Sequence, residues 1–248
     1  MFNHAHYVPI LKCKQGEIKA VEFLKDNLKG KISPLFNFTE VDIHYKTKEP
    51  RKSDEKHIVD MGKQLAKLIR GHKAVFIDIL GLSSISEGLI DSRKVINFFE
   101  SIGCVAERVI PVAGIIRDRK KVFNEVVSSI CKKIKTGICL RLTPSNIEDM
   151  GVLAEEIEET MLYFNIKKND CDILIDLEGL KGNNVKEVVQ RLIKVINSFP
   201  KVGSWRTFIL ASSYFPSSWD RGENIRRERL DFKVWLELLR SADKIVKL

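Results

Sequence analysis

Histidine is scarce in this 248-residue chain: His4, His6, His44, His57 and His72 are all there is, and none lies beyond residue 72. No HExxH, EF-hand or CxxC spacing occurs, so the common zinc, calcium and dithiol sites are not spelled out. His4 and His6 would share one face of a strand, as two metal ligands could, but no third ligand stands near them. The pair reads as a flexible terminus rather than a metal site. Neither GxGxxG nor GxxxxGK[ST] is present, which removes the dinucleotide and P-loop fingerprints. No apolar run approaches the roughly 20 residues that cross a bilayer. Residues 1–6 carry no secretory pattern, so the expected location is cytoplasmic. No block of five like charges exists, which argues against a disordered basic tail. Cysteine is odd in number, and Cys104, Cys139 and Cys171 sit in or beside apolar runs. The five thiols are expected to be reduced and mostly buried.

What the chain has is basic charge and short apolar runs. Lysine and arginine number 42 against 33 acids, a formal net charge of +9. That balance suits phosphorylated ligands, polyanions or an acidic protein, or is simply a basic surface. Hydrophobic residues make up 44%, enough for a substantial core.

β-rich runs recur along the sequence: YVPILK (7–12), KISPLFNF (31–38), AVFIDIL (74–80), ERVIPVAGI (107–115), GICLRLT (137–143), DILIDLEG (172–179) and WRTFILASS (205–213). Their spacing of about 30 residues leaves room for one helix in each gap, as parallel strands require. The first helix is predicted over 16–30 with Gly30 at its end, and the last over 232–242. Two folds accommodate this pattern, a doubly wound sheet and a barrel. The unbroken succession of units and the missing glycine-rich turn favour a TIM-type (β/α)8 barrel, a single domain over 1–248. Its eighth strand is missing or minimal, with Lys244 to Leu248 as the segment that could supply it.

Alternate residues of a barrel strand point inward. Ile138, Leu140 and Leu142 should face the helices and Arg141 the axis. The same alternation turns Asp78, Asp172 and Asp176 inward, with Lys12 and Ser213 on the inner faces of the first and last runs. Most of these charges lie near the C-terminal strand ends, the face where barrel active sites form. The candidate site is therefore Lys12, Lys14, Arg141 and Ser213 for binding an anion, with Asp78 and Asp176 as acid and base, and Glu178 at the rim. A structural ion-pair network of Lys12 and Arg141 with Asp78 and Asp176 uses the same residues equally well. The carboxylates alone could hold Mg²⁺, but the neighbouring cations argue against a metal. The segment 212–230 is polar, aromatic and basic. Its arginines, Arg229 among them, could bind phosphate, a partner chain or nucleic acid.

Taken together, YVPILKCKQGE, KISPLF, FIDI, RVIPV, CLRL, LIDLEG, SSYFP and the spacing Arg229-x-Asp231-Phe232-x-x-Trp235 resemble the Beta protein family over nearly the whole chain. The resemblance implies a TIM-type barrel and supplies no catalytic residues or cofactor. It also implies a phage or mobile-element setting and a part in antiviral defence or counter-defence; the expected partner is a small anionic ligand, on the strength of the basic residues at the mouth, or a co-encoded protein. The chain departs from the family pattern at Asn37, where an acidic residue is usual. It also lacks the Gly–Asp–Tyr-containing strand that follows the last helix in family members.

Overall fold

The structure, a computed structural model, describes residues 6–104, 108–180, 184–200, 202–213 and 228–245. Seven strands appear there: β1 (Ile10–Leu11), β2 (Leu35–Asn37), β3 (Val75–Asp78), β4 (Val109–Ala113), β5 (Ile138–Leu142), β6 (Cys171–Gly179) and β7 (Thr207–Ser213). A helix of two turns or more follows each: α1 (Gln15–Glu22), α2 (Asp54–Leu68), α3 (Ser92–Gly103), α4 (Lys121–Ile134), α5 (Met150–Phe164), α6 (Val185–Ser198) and α7 (Leu230–Arg240). The strands pair in parallel and in chain order from β1 to β7. A doubly wound sheet would reverse that order at a switch point, and this one never does.

The sheet curls into a nearly closed barrel, and its packing shows this directly. Leu35, Phe76, Ile110, Val112, Cys139 and Leu174 form an interior cluster, which Val8 and Ile10 join from the β1 side and Ile209 and Ala211 from β7. Both ends of the sheet thus meet in one interior. A larger layer lies between strands and helices and takes the other alternation: Val75, Ile77, Ile138, Leu140, Leu142, Ile173 and Ile175. Among the described residues β1 and β7 do not pair with each other. Most of β7 is half-buried, as at an edge, whereas all of β3 and β4 is buried.

The helices are placed by apolar stripes and polar caps. Ile58, Met61, Leu65 and Leu68 turn one face of α2 inward, and the Ser53 hydroxyl accepts the Lys56 N–H at its start. Asp149 caps α5 by accepting from the N–H groups of Gly151 and Val152. Asn184 caps α6 through the Lys186 N–H.

Three expectations need correction. The stretch 16–30 is two pieces, α1 and a single turn at Asp26–Lys29, because Ile18 and Val21 pack inward while Phe23 turns to solvent. Gly30 closes the second piece in an ordinary right-handed conformation. Lys244 does not begin a closing strand: Ala242–Lys244 is a helical turn, and Ile245 is buried with Val189, Leu192, Ile196, Val234 and Leu238 of α6 and α7. Residues 246–248 lie outside the described residues. Cys104 is exposed at the end of α3, whereas Cys131, Cys139 and Cys171 are buried.

Candidate site at the barrel mouth

Three inward side chains near the C-terminal strand ends meet in one cluster. Arg141, from β5, donates from Nη1 to Asp78 Oδ2 at 2.7 Å. It also donates to Asp176 Oδ2 from Nε at 3.0 Å and from Nη2 at 2.6 Å. Both carboxylates are buried, and the Arg141 side chain keeps 21% of its surface. Burial works against the Arg141 charge, but Asp78 and Asp176 outweigh it and hold its pKa above the ordinary arginine value.

Each carboxylate is also pinned by its own strand end. Asp78 Oδ1 accepts the Leu80 N–H at 3.0 Å, folding the chain over the end of β3. One residue after Leu80, a Cβ at Gly81 would sit 1.9 Å from the Phe38 carbonyl oxygen, so only glycine lets this turn pass so close. Asp176 Oδ1 accepts the Glu178 N–H at 2.8 Å. There the register of β6 against β7 slips by one residue between Asp176 and Gly179, and Glu178 takes a φ of 55°. This bulge turns the rim of β6 and fixes Asp176. The four carboxylate oxygens of Asp78 and Asp176 are thereby all engaged.

The unengaged groups are donors. Arg119, six residues beyond the end of β4, lays its guanidinium against the backbone of Gly114. A Cβ there would lie 2.8 Å from Nη2 and 3.0 Å from Nε. Its one hydrogen bond among the described residues runs from Nη1 to the Asp118 carbonyl at 3.1 Å. Its Nε is buried with no partner. Arg119, Arg141, Asp78, Gly114, Ala113, Leu80 and Phe123 line one small cavity of about 10 Å³, room for about one water. The loop carrying Arg119 is steadied from β5's side: Asn146 Nδ2 donates to Asp118 Oδ2 at 2.7 Å, and Asn146 Oδ1 accepts from the Thr143 N–H and hydroxyl.

The remaining predicted residues are spread around this centre. Lys12 and Lys14 are exposed and do not enter the Arg141 cluster. Their backbone N–H groups donate to Glu17 Oε2, at 2.6 and 3.4 Å, and no ion pair forms at their ammonium groups among the described residues. The network foreseen for Lys12 thus forms without it. Cys13, between them, is no nucleophile: burial, then Glu17, pushes its pKa up to about 12. Ser213 ends β7 and is exposed, with its carbonyl accepting the Leu180 N–H at 2.9 Å. Arg229 sits at the start of α7, where Nε and Nη2 grip the Asp231 carboxylate at 2.9 and 2.6 Å. That places it in a helix-start ion pair. Tyr214, Phe215, Trp219, Arg221, Arg226 and Arg227 lie outside the described residues, as does His4. His6 Nε2 lies 2.8 Å from Ser33 Oγ, and no group of three metal-ligating side chains occurs among the described residues.

Two arginines escaped the sequence reading. Arg119 lies beyond the strand, where alternation is silent; its one signal is Gly114, an inward position left empty. Arg206 immediately precedes β7. It binds the inward, fully buried Asp172 through Nε (2.9 Å) and Nη2 (2.6 Å) and gives Nη1 to the Thr136 carbonyl (2.6 Å).

The model of one protein family, described as Beta protein, matches residues 7–246. The chain belongs to the Beta protein family. No curated protein matches it. Similar solved structures include a GH18 chitinase from Pseudoalteromonas aurantia, at 8% identity and a TM-score of 0.43 over 81% of this chain and 76% of that one. Another is a Pseudomonas putida protein assigned as a 2-pyrone-4,6-dicarboxylic acid hydrolase, at 10% identity and a TM-score of 0.45 over 98% and 78%. Likenesses this distant bear on neither substrate nor chemistry. Among the described residues no helix is long and apolar enough to cross a membrane.

Proposed function

We propose that this Beta-family barrel binds a small anionic ligand, phosphorylated or nucleotide-like, at its C-terminal mouth. The observation that carries this is the Arg119 Nε, buried beside Arg141 with no acceptor for its N–H. A buried donor left unpaired costs about 1–3 kcal/mol, which an arriving oxyanion would recover. Arg141 would be the positioned cation and Asp78 and Asp176 the groups that hold it, so binding is favoured over acid–base work by the two carboxylates. Lys12 and Lys14, exposed on the adjoining rim, add long-range attraction. Arg119 replaces Arg229 in the set of ligand residues, since Arg229 is committed to Asp231. The ligand must open the cavity, because the present space takes no more than a water. A phage-defence setting, which family membership suggests, would make such a ligand a signal or a substrate.

Isothermal titration with inorganic phosphate and with nucleoside monophosphates tests the reading. Binding is expected, and Arg119→Ala should weaken it at least tenfold. Gly114→Ala offers a second route: the new methyl would push the flexible guanidinium aside and leave the strand intact. Both variants should melt like the parent. No binding of any of these probes, or binding indifferent to Arg119→Ala, overturns the proposal.

A further inference from the structure

The last helix carries two apolar stripes where one would suffice. Val234 and Leu238 face α6 and are buried in a cluster with Val189, Leu192 and Ile196. Phe232, Trp235, Leu236 and Leu239 fall at i, i+3, i+4 and i+7, the spacing of a second helix-packing face. Phe232 is 53% exposed, and Trp235 and Leu239 are each 46% exposed. The Phe232 and Trp235 rings stack on one another at 6.0 Å. Large apolar side chains grouped this way on a surface mark an interaction face.

We infer that this face pairs with the same face of a second copy of the chain, the two α7 helices lying antiparallel across a two-fold axis. The charge pattern selects that occupant. An axis midway between residues 235 and 236 sets Phe232 against Leu239 of the second copy and Trp235 against its Leu236. The same axis sets Lys233 opposite Leu238 of the second copy, one residue from its Glu237 and within a lysine's reach of it. Within one chain both already form exposed pairs, Lys233 with Glu228 at 2.6 Å and Glu237 with Arg240 at 3.4 Å. Exposed pairs of that kind contribute little, so exchanging them across the axis is cheap. A parallel arrangement would instead set Lys233 against Lys233 and Glu237 against Glu237. A two-fold contact is also the commonest way for one surface to complement itself. The inference is independent of the mouth and its ligand.

Sedimentation velocity over a range of concentrations is the test. The wild-type chain should approach twice its 28.4 kDa mass. Trp235→Glu should sediment as a single chain with an unchanged melting temperature, because Trp235 is outside the buried cluster. Lys233→Glu should weaken the dimer about tenfold. Combining it with Glu237→Lys should restore the dimer, a rescue that only the antiparallel pairing explains. A wild-type chain that stays single, a dimer indifferent to Trp235→Glu, or a double variant no tighter than Lys233→Glu would each overturn the inference.

Discussion

The barrel holds a buried ion-pair system at each end, and the two are finished differently. At the N-terminal end Asp172 is fully buried and accepts two bonds from Arg206 and one from the Thr207 hydroxyl at 2.7 Å. Arg206 spends its remaining amino group on the Thr136 carbonyl. Burial again opposes the charge, and Asp172 again raises the Arg206 pKa above its ordinary value. At the C-terminal end Arg141 is shared by two carboxylates, keeps some contact with solvent, and has beside it a second arginine with a buried, unpaired Nε. Buried charge is common to both ends, so it does not distinguish scaffold from site. Unspent donor capacity does, and of these two arginine systems it is the one at the mouth that has it, at the end where barrels carry their chemistry.

The sharpest way to break the comparison is to empty the N-terminal end. Arg206→Ala leaves the Asp172 carboxylate charged, buried and short of two bonds. It should cost about 4 kcal/mol in denaturant unfolding, near the middle of the range for halving a buried pair. Replacing both partners, as Arg206→Met with Asp172→Leu, should recover most of that loss, because a well-packed apolar pair can equal a buried ion pair. Phosphate binding at the mouth should be untouched in the double variant. A double variant as unstable as Arg206→Ala would mean that the pair does more than fill and neutralise the barrel floor.

At the mouth the same operation should come out smaller in stability and larger in function. Arg141→Ala should cost about 3 kcal/mol, since its carboxylates keep their backbone donors and the site is wetter. Anion binding should be lost altogether. Arg141→Met with Asp78→Leu and Asp176→Leu should regain stability without regaining binding. If the apolar triple variant still bound phosphate, the mouth would be as purely structural as the floor.

These two ends also show what a sequence can carry. Alternation within a strand placed Asp78, Arg141, Asp172 and Asp176 on the inner face because the strand period is two and each run is long enough to fix its phase. It said nothing of Arg119 or Arg206, which lie just outside strands where the backbone no longer alternates. Chain-order pairing was legible from the even spacing of the runs. The end of the barrel was not: Lys244 and Ile245 follow a helix closely enough that burial against α6 and α7 captures them before any strand can form. Of the network that alternation offered, Lys12 stays outside and Arg141, Asp78 and Asp176 form it. Arg141 is longer, planar and bidentate, and it satisfies both carboxylates before a lysine just past a two-residue strand can reach them.

The smallest predicted effect comes from the N-terminal side of the barrel and depends on pH. His72 is buried, its Nδ1 lies 2.7 Å from the Ile32 carbonyl, and its Nε2 has no partner. Burial lowers the pKa of His72, and burial likewise leads the lowering at His57 and at His6. The unfolded chain, near the ordinary value of 6.5, therefore takes up protons before the folded one does. Stability should be full above that pH and should fall as the pH drops through 6.5 towards the lower folded-state values. The carboxylates lowered by salt partners, such as Asp60 and Asp231, titrate in a more acid window below 3.8 and leave this one clear. Unfolding midpoints measured at pH 7.5 and pH 5.5 should differ in the wild type and differ less in His72→Gln, whose amide can keep the bond to Ile32 without titrating. An equal pH dependence in both would place the effect on His57 and His6.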